Sequence, residues 1–251
     1  MSTTYENLFS LQSNTDLNVS ELTKYAILSH TWLRSTSAEV TYSDWYSKTF
    51  DMSHIGYRKL VNFCKVASAD FGLTLGWIDT VCIDKSSSSE LDESIRSMYK
   101  WYQKSAVCIT YLSETITLDD MASDPWFTRG WTLQELIAPM NLKFYTQNWV
   151  QLVGSVSNDK AVDDIQNQIE IAANITGIEL SSPSSVPVSR KMEWAARRQV
   201  TRGEDTAYSL MGLFGINMSI AYGEGPKTAF IRLIKKILAT SKSEILDIFN
   251  W

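Results

Sequence analysis

The segment LGWIDTVCIDKSSSSELDESIRSMYKWYQKSAVCITYL (Leu75–Leu112) contains a complete strand–helix–strand pattern. Its first ten residues, Leu75–Asp84, form a nearly continuous apolar run, which is typical of a buried strand. A serine run at 86–89 can cap a helix, and a second apolar run, Ala106–Leu112, follows that helix. Between them, apolar residues recur with helical spacing at Leu91, Ile95, Met98 and Tyr102. The segment therefore predicts a βαβ unit with two parallel strands.

The same alternation continues on both sides of this unit. Upstream, YAILSHTW (Tyr25–Trp32) predicts a buried strand, and the apolar spacing within Gly56–Asp70 predicts a helix that ends at Gly72. Downstream, a helix over Trp131–Ala138 precedes a fourth strand in Leu142–Trp149. We expect an α/β fold over residues 25–149, with helices on both faces of a parallel sheet. The strands are expected near Ala26–Ser29, Gly76–Val81, Val107–Tyr111 and Lys143–Tyr145.

Beyond residue 150 the pattern changes to helices alone. Helical spacing begins at Val162, Ile165 and Ile169, and the segments 188–200, 203–214 and 226–240 predict further helices after a serine-rich loop. The large apolar residues in these segments are too many for a solvated tail: Trp194, Tyr208, Leu210, Phe214 and Phe230. We therefore expect residues 150–251 to form a helical annex on the same core, which makes residues 1–251 a single domain.

Composition narrows the classes of function. The net charge is -5, and the 28 acidic and 23 basic residues are mixed along the chain without a basic run, which argues against a nucleic-acid partner. No apolar run approaches the roughly 20 residues of a membrane span, and the first residues lack the pattern of a signal peptide. We therefore expect a cytoplasmic protein.

Metal and disulfide chemistry are not expected either. Cys64, Cys82 and Cys108 lie in apolar neighbourhoods without CxxC spacing, which favours reduced thiols in the core. The two histidines, His30 and His54, are too few for a metal centre and are poorly placed for a hydrolytic triad.

One glycine-rich segment, YGEGPKT (Tyr222–Thr228), resembles a phosphate-binding loop at first sight. It lacks the four residues that separate the first glycine from the Gly-Lys-Ser/Thr unit in such loops. A turn in which Pro226 begins a helix accounts for the same residues, so we do not expect a phosphate loop here.

Candidate site residues follow the predicted strands. In a doubly wound sheet, ligands bind beyond the carboxyl ends of the strands. His30 and Trp32 come after the first strand, Asp84 and Lys85 after the second, and Glu114 after the third. For Asp84 alone of these residues, the sequence favours the alternative, a turn or helix-start residue.

A second group of candidates lies in PWFTRGWTLQELIAP (Pro125–Pro139). If this segment is helical, Glu135 falls opposite the apolar stripe of the helix, a position that normally faces water. Trp131 lies one turn before it on the same face, and Arg129 and Trp126 come just ahead. The glutamate therefore belongs either to a solvated helix face or to a tryptophan-lined site.

The sequence resembles the heterokaryon incompatibility (HET) domain of fungal cell-death proteins. The resemblance extends from about Tyr25 to Trp251 and rests on five segments in their intact order: YAILSHTW, WIDTVCIDKSSSSELDESIRSMYKWY, WFTRGWTLQELIAP, RKMEWAARRQVTRGEDTAYSLMGLF and YGEGPKTAF. It implies a cytosolic trigger of cell death. Such domains are often carried at the amino end of NOD-like receptors, whose other regions would then be partners within a larger protein.

The HET family is in turn similar to Toll-receptor-type (TIR) domains, which implies a TIR-like, flavodoxin-like sheet. In TIR domains that cleave NAD+, the essential glutamate lies in a Trp-Cys-x-x-Glu-Leu motif. GWTLQEL places Trp131 and Glu135 in this pattern, with Thr132 in place of the cysteine. The resemblance implies that Glu135 is catalytic and that NAD+ is the substrate, with no further cofactor.

The remaining candidates would then contact NAD+. Arg129 or Lys85 could neutralise the diphosphate, and one of three tryptophans could stack on a ring of the substrate: Trp32, Trp126 or Trp131. The alternative is a non-enzymatic signalling module that acts by self-association, with its tryptophans in an interface. Both hypotheses include self-association into oligomers.

Overall fold

A four-stranded parallel sheet forms the centre of the protein. The computed structural model describes residues 24–33, 39–152, 172–173, 175–178 and 186–240. The strands are β1 (Tyr25–His30), β2 (Leu75–Trp77), β3 (Val107–Tyr111) and β4 (Leu142–Tyr145), in the order β2-β1-β3-β4. All three neighbouring pairs are parallel, and this confirms the predicted α/β fold. The predicted helix around Val162–Ile169 lies outside the described residues.

The helices alternate with these strands. Their bounds are α1 Tyr42–Ser47, α2 Ile55–Phe71, α3 Asp79–Cys82, α4 Ser88–Lys104, α5 Thr132–Ile137, α6 Val188–Ala196, α7 Asp205–Tyr208 and α8 Pro226–Thr240, with 3-10 turns at Leu118–Ser123 and Pro125–Thr128. Capping residues determine where several of these helices begin or end. The Ser87 hydroxyl accepts from the backbone N–H of Glu90 at the start of α4, and Gly72 ends α2 in a left-handed conformation with φ 65°.

Each face of the sheet packs against different helices. On one face, Leu60 and Phe63 of α2 pack against Leu28 of β1. The other face packs against α4 and α5. The chain moves from β1 to β2 in one direction and then crosses back to β3, so the order reverses between β1 and β3. This reversal is the topological switch point, where parallel α/β sheets open a crevice for ligands.

The second strand is shorter than its sequence predicts. The apolar run Leu75–Asp84 predicted a strand near Gly76–Val81, but β2 ends at Trp77 and residues Asp79–Cys82 form a helical turn, α3. Thr80 and Val81 are buried in this turn. A short apolar run is compatible with either a buried strand or a buried helical turn, which is why its pattern alone was misleading.

The helices after residue 187 share a core with the sheet. Trp194, Tyr208 and Leu233 belong to the same apolar cluster as Ile27 of β1. The backbones also join, because the Gly130 N–H donates to the Gln199 carbonyl at 2.8 Å. A Cβ at Gly130 would lie 2.4 Å from a methyl group of Val200, so this close approach requires glycine. None of the helices in the described ranges has both the length and the apolar character of a bilayer span.

Candidate functional site

A cavity of about 730 Å³ lies at the switch point, next to the carboxyl ends of β1 and β3. Its volume falls within the range of about 300–1,000 Å³ that is typical of small-molecule sites. The strand ends contribute His30, Trp32 and Glu114. The first turn of α5 contributes Glu135, and residues of the helical annex form a further wall of the cavity.

Glu135 is at the buried end of this cavity. Glu135 is 7% exposed, and every other residue of α5 is buried as well. Of the two alternatives left open by the sequence, the solvated helix face is therefore excluded, because the sheet, the cavity and the annex together enclose the helix. The Ser29 hydroxyl donates to Glu135 Oε2 at 2.5 Å, and the Trp126 indole N–H donates to Ser29 Oγ at 2.7 Å. The carboxyl group is thus held in place by uncharged donors.

The surroundings of Glu135 disfavour its ionised form. Burial, with a smaller contribution from the negative charge of Asp79, raises the pKa of Glu135 to about 8. Hydrogen bonds from Ser29 and Tyr102, together with the charge of Arg198, oppose the shift without cancelling it. A carboxyl group with a pKa near neutrality can exchange a proton during a reaction, which is typical of catalytic acids and bases.

The turn before α5 is fixed by its own polar groups. Asp124 accepts from the N–H of Trp126 and from the N–H of Glu114, and so joins this turn to the loop after β3. The Thr132 hydroxyl contacts the carbonyls of Trp126 and Arg129. Arg198, from the annex, donates to Thr132 Oγ1 at 2.9 Å. Thr132 therefore anchors the start of α5.

A second carboxyl group, Asp79, also lines the cavity. Its Oδ1 is 3.0 Å from His30 Nε2, and its Oδ2 accepts from Trp32 Nε1 at 2.9 Å and from Lys85 Nζ at 3.3 Å. Burial raises the pKa of Asp79, but the charge of Lys85 and the contacts with His30 and Trp32 outweigh burial and hold this pKa well below its usual range. Asp79 is therefore a fixed anion at neutral pH.

Behind His30 lies a buried ion pair. Lys59 Nζ is 2.8 Å from His30 Nδ1 and also contacts the Glu39 carboxylate, with both of the paired side chains at most 4% exposed. An ammonium group only donates, so the shorter contact with Lys59 assigns Nδ1 as the acceptor and Nε2 as the donor to Asp79, although the Thr31 carbonyl also lies 3.2 Å from Nδ1. The pair thus orients the imidazole that faces the cavity.

Seven of the nine candidates proposed from sequence line this cavity: Glu135, Trp131, Arg129, Trp32, His30, Lys85 and Glu114. Trp126 does not, because its ring is fully buried against Phe127 and Phe144; it reaches the site only through Ser29. Asp84 does not either. Its carboxylate accepts from the backbone and hydroxyl of Ser86, which is the turn interpretation.

Sequence reasoning missed Asp79 and the annex wall. Asp79 is the second residue after the end of the shortened β2, so the strand-end rule identifies it once the strand boundary is correct. The annex wall consists of Thr201, Arg202, Asp205 and Tyr222. Nothing in the spacing of these four residues points to the sheet, because the contact depends on how the annex packs.

The fold and this cavity define a doubly wound α/β protein with a ligand crevice at its switch point. Residues 25–122 match the family model "Heterokaryon incompatibility protein (HET)". The chain is also 38% identical over 238 residues to the vegetative incompatibility protein HET-E-1 of Podospora anserina, in an alignment that covers 88% of this chain and 17% of that relative. The chain therefore carries a heterokaryon incompatibility domain. No solved structure matches it significantly.

Proposed function

We propose that this chain is a cell-death effector domain that cleaves NAD+ at the bond between nicotinamide and ribose. The observation that carries the proposal is the buried Glu135 carboxyl group, held by Ser29 and facing a cavity of dinucleotide size at the switch point. The name of the Podospora relative, an incompatibility protein, supports the cellular role. The chain spans 17% of that relative, so a comparable protein would place this domain beside others.

The chemistry requires a carboxylate near the ribose. When the bond from C1′ to the nicotinamide nitrogen breaks, its electron pair leaves with the neutral nicotinamide, and positive charge develops on the ribose. An ionised Glu135 stabilises that charge. Water then attacks C1′ and gives its proton to the Glu135 carboxylate, so the products are ADP-ribose, nicotinamide and one proton.

The raised pKa of Glu135 suits this cycle. Because burial disfavours the anion, Glu135 is ready to accept a proton from water once the cation has formed. Bound NAD+ brings a positively charged nicotinamide ring into the cavity, and that charge favours ionisation of the glutamate. We therefore expect the substrate itself to generate the active carboxylate.

Other residues around the cavity would position the substrate. Trp131 precedes Glu135 by one turn and offers a ring for stacking on nicotinamide. Asp79 has lone pairs left for ribose hydroxyl groups, since a carboxylate accepts about four hydrogen bonds. Arg129 and Lys85 also line the cavity and supply positive charges that would bind the diphosphate of NAD+.

Self-association is part of the proposal as the activating step, because clustering would raise the activity of a domain that is weak alone. A purely non-enzymatic role through a tryptophan interface is less well supported. Of the tryptophans in the described residues, Trp32 alone is exposed, at 44%, while Trp126 is fully buried and Trp131 faces the cavity.

The test is nicotinamide release from NAD+ by the purified protein at high protein concentration. Glu135→Gln should lower the rate about a hundredfold or more, because a single electrostatic or acid–base group typically contributes that much. It should also abolish toxicity in cells. A Glu135→Gln protein that releases nicotinamide at the parental rate would remove this residue from the reaction.

The matched control is Glu93→Gln, on the exposed side of α4. Glu90 is not suitable, because its carboxylate accepts from the backbone N–H of Asp84 and so stabilises the turn before α4. Glu93→Gln should change neither nicotinamide release nor toxicity. If toxicity instead follows oligomer size in both variants, the self-association module is the better account.

A further inference from the structure

The annex side of the cavity carries a stacked arginine and tyrosine. The Arg202 guanidinium lies 4.3 Å from the centre of the Tyr222 ring, and both residues line the cavity. Stacking uses the face of a guanidinium and leaves its N–H edge available to donate. Within the described part of the chain, Arg202 forms no ion pair. Its charge acts on the nearby Glu204 and Asp205 carboxylates without a direct ion pair, so its N–H edge can still donate to an anionic ligand.

Buried polar contacts hold this pair in place. The Tyr222 hydroxyl donates to Asp205 Oδ1 at 2.7 Å, and Asp205 is only 7% exposed. The adjacent Glu204 accepts from the N–H groups of Gly223 and Gly225, which have φ of 98° and 84°. These left-handed conformations explain the glycines of the YGEG segment. The segment is a turn that presents Tyr222 to the cavity, and not a phosphate loop.

A second arginine is held beside the first. Arg129 Nη1 donates to the Thr201 hydroxyl at 2.9 Å, and Arg129 bridges to Gln199 through its backbone. The Arg129 guanidinium thus contacts Thr201, the chain neighbour of Arg202, where the annex meets the loop before α5. Asp205 is the acidic group that lines this wall, and its carboxylate is already engaged by Tyr222 and Trp131.

The cavity therefore has two walls of different chemistry. The wall formed by the strand ends and α5 holds carboxyl groups suited to a ribosyl cation and its hydroxyl groups. The other holds two guanidiniums and an aromatic ring, a combination that recognises phosphate and a planar base. A dinucleotide has this same division, with a reacting riboside joined through phosphates to a second nucleotide.

We propose that Arg202 and Tyr222 form a nucleotide subsite that binds the adenylate half of the dinucleotide, so that the annex selects dinucleotides over mononucleotides. The identity of the substrate rests on the function proposed above. In the subsite, the Arg202 edge donates to phosphate oxygens and the Tyr222 ring borders the adenine, while Arg129 contacts the diphosphate between the two halves. The annex is then part of the substrate-binding machinery and not only a scaffold.

The test measures binding of ADP-ribose and of nicotinamide mononucleotide to the full chain by calorimetric titration. Arg202→Gln removes the charge from an exposed position, and Tyr222→Leu removes the ring; circular dichroism checks that both fold. Arg202→Gln should weaken ADP-ribose binding about tenfold to a hundredfold, as expected for lost charge-assisted hydrogen bonds. Binding of nicotinamide mononucleotide should stay within about twofold. Lys227→Gln, an exposed site in the first turn of α8, is the control and should change neither.

The outcomes separate this subsite from the proposed reaction. ADP-ribose binding that both variants leave unchanged, or no binding of ADP-ribose at millimolar concentration, overturns the subsite. Arg202-dependent binding of ADP-ribose supports the subsite even if the protein releases no nicotinamide, a result that would instead overturn the proposed cleavage of NAD+.

Discussion

Asp79 and Glu135 line the same cavity, but their surroundings differ in charge. Asp79 is contacted by His30, Trp32 and Lys85, and its pKa is held below its usual range. Glu135 is contacted by the Ser29 hydroxyl and enclosed by buried groups, and burial raises its pKa to about 8. Two chemically equivalent groups therefore behave as a permanent anion and as a titratable acid.

The difference shows which of the two carboxyl groups can take part in proton transfer. When environments separate the pKa values of two neighbouring acids, their roles separate as well. Asp79 organises the strand ends, since its contacts hold β1 and α3 together. Glu135 is contacted mainly by uncharged groups, so its ionisation depends on the charge of the ligand that enters the cavity. The following predictions either contradict this division or make it quantitative.

The largest effect is expected from Glu135→Gln on the pH dependence of stability. The pKa of Glu135 is raised from 4.5 to about 8 on folding, so its stabilising contribution is fully present below pH 4.5 and is lost as pH rises through about 8. A glutamine has no such dependence. The free energy of unfolding of the variant, relative to the parent, should rise by about 3–4 kcal/mol between pH 5 and 8.5. Urea denaturation at both pH values measures it, and a difference independent of pH would mean that Glu135 is already ionised in the folded protein.

Asp79→Asn should give the next largest effect. The change leaves the Lys85 ammonium and the donors of His30 and Trp32 without their anion, so we expect a loss of about 2–3 kcal/mol at pH 7, as for hydrogen bonds to charged groups. Because the pKa of Asp79 is lowered on folding, this loss should shrink only in acid, as pH falls through that low value. A variant within about 0.5 kcal/mol of the parent at pH 7 would show that Asp79 has no organising role.

Ser29→Ala should change the chemistry of Glu135 more than the fold. The Ser29 hydroxyl favours the ionised glutamate, so its removal should move the midpoint of the pH–rate profile for nicotinamide release upward by about one unit. Asp79→Asn should move the same midpoint downward, because the charge of Asp79 raises the pKa of Glu135. Shifts in the same direction for both variants would contradict the assigned contacts.

The smallest effect is expected from Lys85→Ala. Lys85 forms an ion pair with Asp79 at 3.3 Å and lies 3.7 Å above the Trp32 ring, but its side chain is 34% exposed. Such partly solvated contacts contribute less than about 1 kcal/mol to stability. Thermal denaturation should therefore place this variant close to the parent. A large loss would mean that solvent screens the pair of Lys85 and Asp79 less than the exposure of Lys85 indicates.

The sequence predicted the scaffold better than it predicted the site. Apolar runs identified β1, β3 and β4 because these strands are buried on both faces, which leaves a continuous apolar signal. The same signal failed at Ile78–Ile83, where a helical turn is equally apolar and equally buried. That single boundary error moved the candidate acid from Asp79 to Asp84.

The surroundings of Glu135 could not be predicted from its own helix. Helical periodicity predicted that Glu135 lies on the side of α5 opposite its apolar stripe. Whether that side faces water depends on distant segments, here the Ser29 end of β1 and the annex around Arg198 and Asp205. Contacts of this kind are set by tertiary packing and leave no local pattern.

The most direct test of the central claim is the rate of nicotinamide release from NAD+ between pH 6 and 9, measured at high protein concentration. If Glu135 acts as the carboxylate, the rate should rise with pH to a midpoint at or below pH 8, the midpoint moving lower to the extent that bound NAD+ favours ionisation, and should then level off. Glu135→Gln should give a flat profile at least about a hundredfold lower at the plateau. A parental profile retained by Glu135→Gln would contradict the account.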